Sequence, residues 1–305
     1  METSIPVDLI NPGQVFACLG FLEAAHVLCG GAEGRFDWHD EEKFFLRISG
    51  EVNPFEKVLE FLSKVEVRAI APERWRPKKE PKNEGEHEKL EKELQEQIKS
   101  IEFPSTSPDT SSAMPIQIIG QSKKPVTLSH WADGSSRNEF KLYSGNRSAL
   151  DIAKAMLLGT RGKPRKGHNR GNLVTKGLVQ LWEDARVDLV ARPLDILSPM
   201  GGSFNFDPRG AWTQIDAGYS PNNHKHKVVA SPVVEILAAW GLEHTRPDEF
   251  ETRKVRYSVW AGALPPMLAR AALACRIEAL LQRRFSFELT MSGKEKIITV
   301  AQEET

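Results

Sequence analysis

Cysteine is scarce in this chain. Only Cys18, Cys29 and Cys275 occur in 305 residues. No two of them form a Cys-x-x-Cys pair, so neither a disulfide framework nor a cysteine zinc site is expected. Cys18 and Cys29 lie in an apolar helical run and read as small buried hydrophobes. Net charge is missing too: 41 Lys and Arg balance 41 Asp and Glu. A protein that grips nucleic acid alone carries a basic excess, so any such role here needs a local patch or an assembly that shares the electrostatic work. Met1 to Leu9 lacks a basic segment followed by an apolar core, so no signal peptide is read. Glu, His or Arg breaks each long apolar run before it reaches about eighteen residues, so no membrane-spanning helix is expected. The chain reads as cytoplasmic, with no membrane partner.

What remains is ordinary for a packed protein. Hydrophobic residues make up 40% and charged residues 27%, so disorder is not the default. Asn11 and Pro12 supply a cap and a first helical position, and apolar residues from Val15 to Leu28 recur at helical spacing until Gly30 and Gly31. The segments 35–38, 43–48 and 65–70 read as strands, and Asn53–Pro54 opens a helix through Leu62. Further strands are expected at 116–119, 126–129 and 140–143, and helices at 149–158, around 173–186, from Pro232, and from Pro265 to Leu281. A hairpin of 285–291 and 296–300, turned at Ser292–Gly293, closes the chain. This order predicts an α+β fold of mixed helices and antiparallel strands, without regular βαβ alternation or internal repeat. Three regions follow: an N-terminal α+β region (1–76), a charged helical insertion or linker (77–113), and a main α+β region (114–305). The insertion is rich in Lys and Glu and has a thin apolar stripe, Leu90, Leu94, Ile98 and Ile101. It reads as a solvated or weakly docked helix laced by Glu–Lys pairs.

The strongest chemical signal lies at 159–176, GTRGKPRKGHNRGNLVTK. It holds Arg161, Lys163, Arg165, Lys166, Arg170 and Lys176, and no acidic residue occurs between Asp151 and Glu183. Glycines let main-chain amides approach a phosphate backbone, and Lys and Arg displace its counterions. The spacing is not that of a Walker loop. A second basic group, Lys123 and Lys124 with Arg137, Lys141 and Arg147, flanks Trp131, Phe140 and Tyr143. Such interleaving suits stacked bases held by their phosphates, and equally an edge strand guarded by lysines.

Signals for catalysis are sparse. Asp207, Asp216, His224 and His226 are the residues a metal nuclease would recruit, and His168-Asn169-Arg170 hints at an HNH element. Neither set has the strand–helix framework that brings ligands together. Asp207 before Pro208 reads as the start of a turn. His26 reads as a packed or capping side chain. No nucleophile with its base is evident, so no catalytic residue, metal or cofactor is assigned.

Several segments together resemble a known family. IPVDLINPGQVFACLGFLEAAHVL with GAEGRF resembles the N-terminus of a CRISPR-associated family of type I-G (formerly I-U) systems. FNFDPRGAWTQIDAGYSPNNHK, ASPVVEILAAWGLEHTRP and VWAGALPPMLARAA resemble the C-terminal half shared with larger subunits of related systems. The stretch 77–113 matches no part of that family. The resemblance implies a large-subunit-like component of Cascade, the RNA-guided surveillance complex. Its implied partners are guide (CRISPR) RNA, target DNA, other Cascade subunits and a transiently recruited helicase-nuclease that does the cutting. In such complexes base pairing reads the sequence while protein reads shape and a short flanking motif. On physical grounds Arg209, in the Phe-Asp-Pro-Arg segment, joins the 161–176 loop as a candidate nucleic-acid ligand. A ferredoxin-like guide-RNA-binding backbone subunit remains the alternative.

Overall fold

The structure is a computed structural model. It describes residues 1–69, 116–120, 126–128, 142, 149–163, 171–210, 229–278, 281–292 and 295–304, with 85, 86, 89, 92 and 93 besides. In the first half, β1 (Glu2–Pro6), α1 (Pro12–Cys29), β2 (Ala32–Asp37), β3 (Lys43–Ile48), α2 (Pro54–Leu62), β4 (Glu66–Ala69), β5 (Ile116–Ile119) and β6 (Val126–Leu128) follow in order. Next come α3 (Ala149–Leu158), β7 (Thr160–Arg161), β8 (Leu173–Thr175), α4 (Leu178–Ala191), β9 (Ser198–Pro199) and β10 (Val229–Ala230). The last elements are α5 (Pro232–Gly241), β11 (Asp248–Glu251), β12 (Lys254–Trp260), α6 (Pro266–Leu273), β13 (Gln282–Ser292), β14 (Glu295–Ile298) and β15 (Gln302–Glu304). The fold is α+β, with helices and antiparallel sheets.

α1 is the axis of the core. Asn11 caps it by accepting from Gln14 N, Pro12 opens it, and Gly30 closes it at φ +78°. It is long and apolar enough to cross a bilayer, yet 83% of it is buried inside the protein. A helix apolar on every side has no face for water, so it must be surrounded. α5, equally apolar, lies against it. A Cβ on Gly20 would overlap the Leu237 carbonyl oxygen, and one on Gly241 the Phe16 carbonyl oxygen. Glycine at both positions therefore lets the two backbones meet. Cys18 is fully buried, whereas Cys29 is half-buried and His26 is exposed at the helix end.

Two sheets pack against α1. One has strand order β1-β3-β2 and the other β11-β12-β13-β14, with β15 also on β13, all antiparallel. Long-range bonds join them: Gly34 and Leu264 exchange backbone bonds of 2.9 Å, and the Trp260 indole donates to Gly34 O at 2.8 Å. Buried Tyr257 donates its hydroxyl to Leu9 O at 2.7 Å. The N-terminal region and the C-terminal third thus share one hydrophobic core. The order β1-α1-β2-β3-α2-β4 is that of a ferredoxin-like unit. β4, however, pairs with β5 in a separate three-stranded sheet.

That pairing explains the charged stretch. Ala69 and Ile116 are partners across β4 and β5, so the intervening chain leaves and returns at one point. Its described positions are exposed and helical, and Lys89 pairs with Glu93 at 3.9 Å. The apolar stripe and the expected strand at 140–143 lie outside the described residues, apart from Leu142, which is buried and in no strand.

Two expected helices differ. Residues 173–175 form β8, because Leu173 and Thr175 pair back onto β7 around a bulge at β-branched Val174, and α4 starts only after Gly177. The helix from Pro265 stops at Leu273, where Cys275 takes a left-handed φ of +57°.

Candidate nucleic-acid interface

The two described ends of the acid-free stretch pair as the neck of a hairpin. α3 turns through Gly159 (φ +69°) directly into β7. Thr160 N donates to Thr175 Oγ1 at 3.0 Å, and the two threonine hydroxyls lie 2.7 Å apart. Gly162 N donates to Asn172 O at 2.9 Å. A Cβ on Gly171 would overlap the Gly162 carbonyl, so glycine is needed for the strands to close at the neck. The glycines that suggested phosphate approach thus have a packing task as well.

Arg161 on β7 and Lys163 just beyond it are exposed, as are Leu173 and Val174 on β8. Among the described residues no carboxylate pairs with Arg161 or Lys163, and Arg161 reaches the Gly171 carbonyl at 3.5 Å. Lys176 does have a partner. α4 carries Asp184 back beside it, at 2.7 Å, although the surrounding sequence is free of acid. Both side chains are half-exposed, and such a pair contributes about 0–1 kcal/mol, so a phosphate can compete for this lysine. Arg165, Lys166 and Arg170 lie outside the described residues, as do Lys123, Lys124 and the aromatic residues near them.

Arg209 sits elsewhere and is held firmly. Asp207 starts a tight turn at Pro208–Gly210, and its backbone carbonyl accepts Gly210 N at 2.9 Å, as its place before proline suggested. Arg209 Nε lies 2.9 and 3.2 Å from the two Asp207 carboxylate oxygens. Its Nη2 donates to Asp207 Oδ2 and to Leu194 O, both at 2.8 Å. The buried Asp207 carboxylate also accepts Ser231 N at 3.0 Å and Asn11 Nδ2 at 3.5 Å. Behind it, Glu235 accepts Asp207 N at 2.8 Å and Phe204 N at 2.9 Å.

Two buried carboxylates side by side resist ionisation together. Burial first, and the neighbouring Asp207 charge second, push the Glu235 carboxyl from 4.5 to about 7. The Asp207 backbone N–H, the Ser203 hydroxyl and the Phe206 backbone N–H pull it part of the way back. Sequence reasoning missed Glu235. The available signal was a lone acid inside the apolar run Pro232–Gly241, downstream of a Phe-Asp-Pro-Arg turn. Asn11, read only as a cap, also reaches this cluster.

The metal reading gains nothing here. Among the described residues no group of three His, Cys, Asp or Glu side chains is placed to hold an ion. Asp207 is taken up by Arg209 and backbone donors, while Asp216, His168, His224 and His226 lie outside the described residues.

The outer face of β1-β3-β2 is the surface on which a ferredoxin-like unit would stack bases. Its central aromatic, Phe45, is covered by Arg35 at 3.9 Å. Arg35 in turn pairs with Glu2 and Asp37, both at 3.5 Å, and Arg47 with Glu33. A phosphate entering this face would meet as many carboxylates as cations. No family model, no curated protein and no solved structure matches the chain.

Proposed function

We propose that this chain is a non-catalytic subunit of a type I CRISPR RNA-guided surveillance complex, resembling the large subunit of type I-G (formerly I-U) Cascade. It binds target DNA near the protospacer-adjacent motif, guide RNA, or both, in antiviral interference. The observation that carries the nucleic-acid part is the hairpin of β7 and β8. It presents Arg161 and Lys163 to solvent, and the sequence between its strands adds Arg165, Lys166 and Arg170 with no acid among them. The CRISPR assignment rests on the sequence resemblance. Zero net charge fits a subunit that acts within an assembly, since its electrostatic contribution is local. The working location is cytoplasmic, the partners are guide RNA, target DNA and other Cascade subunits, and cleavage belongs to a recruited helicase-nuclease.

A guide-RNA-binding backbone subunit is the second reading, and the β1-α1-β2-β3-α2-β4 order favours it. The charge-balanced outer face of β1-β3-β2 weighs against it. Copy number separates the two, because a backbone subunit lines the guide many times and a large subunit occurs once. The direct test is target-duplex binding by the assembled complex with and without this chain. Binding should fall sharply when the chain is omitted, and equal binding would overturn the proposal. Incubation with labelled DNA and RNA plus divalent metal should give no cleavage. Cleavage lost on His224→Ala would revive the nuclease.

A further inference from the structure

The basic hairpin and the buried Asp207 cluster are separate in sequence but connected in space. Ser198, on β9, donates its hydroxyl to Lys176 O at 2.9 Å, at the root of the hairpin. A Cβ on Gly201, just beyond β9, would overlap the Thr160 side chain on β7. β9 also pairs with β10, which runs into Ser231, a donor to Asp207. Arg209 closes the circuit by tying Asp207 to the Leu194 carbonyl, on the chain between α4 and β9. The segment that supports the hairpin is therefore fastened to α5 through Glu235 and Ser231, and to the cap of α1 through Asn11.

We infer that the Asp207–Arg209 pair is a latch that fixes the β7–β8 hairpin against the core, so that Arg209 is a positioning residue for nucleic-acid binding and not a phosphate ligand. The functional half of this inference rests on the nucleic-acid reading above, while the mechanical half does not. An arginine whose Nε and Nη2 both face one buried carboxylate, and whose Nη2 also meets a backbone carbonyl, has few donors left for a phosphate. Breaking the pair leaves Asp207 buried without its cation, and the strain falls on the chain from Leu194 to Gly201 that supports the hairpin.

Two measurements test it. In the first, amide hydrogen exchange is followed in the full chain. In Arg209→Ala the amides of Thr160 and Gly162 should exchange roughly tenfold faster, as expected when a local opening unit is deprived of one charge-assisted hydrogen bond. Amides of β12 and β13 should not change, and Arg209→Lys should restore part of the protection. If Arg209→Ala does not fold, Arg209→Lys and Ser198→Ala decide, since each loosens the same support. Hairpin protection equal to wild type in a folded variant, or loss spread evenly over the protein, would overturn the latch. In the second, nucleic-acid affinity of the assembled complex is measured against salt. Arg209→Ala should weaken binding at every salt concentration with an unchanged slope. Arg161→Ala with Lys163→Ala should flatten the slope by roughly 0.9 for each duplex phosphate that is no longer neutralised. A slope lowered by Arg209→Ala would make it a direct ligand and refute its positioning role. A wild-type complex that binds no nucleic acid would sink the functional reading, and hydrogen exchange would still decide the latch.

Discussion

Raising the pH should destabilise this protein through Glu235, and the size of the effect can be worked out. In the fold its carboxyl titrates at about 7, against an ordinary 4.5 once exposed to water. Below 4.5 the group is protonated in both states, and its contribution to stability is fully present. As pH rises from 4.5 towards 7 the unfolded chain releases its proton first, so stability falls, and above about 7 the loss is complete. At about 1.4 kcal/mol per pH unit the full loss is roughly 3 kcal/mol, and about 2 to 3 kcal/mol of it falls between pH 5 and 8. Urea unfolding of the wild type and of Glu235→Gln at both pH values isolates this group from other titrations. Glutamine turns an NH2 group, which cannot accept, towards the backbone N–H of either Phe204 or Asp207, so the variant is expected to be weaker at pH 5. Its disadvantage should shrink, or reverse, at pH 8. Parallel stability–pH profiles in the two proteins would refute the reasoning, because they would mean that Glu235 titrates alike in both states.

Four other outcomes are expected. Gly20→Val should force α1 and α5 apart and cost about 3 kcal/mol or more, read as a lowered denaturation midpoint or a failure to fold. Tyr257→Phe should cost about 1–3 kcal/mol in the same assay, since the buried Leu9 carbonyl is left without its donor. Replacing residues 70–115 by an Asn-Gly turn should leave a folded protein of equal or greater stability, because Ala69 already faces Ile116 and a short loop costs less entropy to close. A collapsed near-ultraviolet dichroism spectrum would contradict that. Finally, Arg165→Ala with Lys166→Ala should weaken nucleic-acid binding by the complex and shallow its salt dependence by roughly one for each phosphate released, and an unchanged slope would mean that these two side chains do not touch the nucleic acid.

Local signals were legible wherever a few neighbouring residues decide the outcome. Asn11–Pro12 and Asn53–Pro54 start helices because a side-chain acceptor and a preset φ act within one turn. The closing hairpin of β13 and β14 follows from alternation and a turn residue. Composition near 173–186 was less informative. Leu173 and Thr175 sit in a strand because β7 is there to pair with, and no local pattern announces a two-residue partner. The pairing of β4 with β5, across the whole charged stretch, is hidden for the same reason.

By itself, then, the sequence determined the α+β class, most helix starts and an acid-free cationic stretch, since each depends on residue type and near spacing. Only the tertiary structure decided what those cations are free to do. It brings Asp184 to Lys176 and Asp207 to Arg209, and leaves Arg161 and Lys163 exposed. It also buries Glu235 beside Asp207, where water can no longer screen one carboxylate from the other. Charge pairing and desolvation depend on distance through space, which only the packed fold sets.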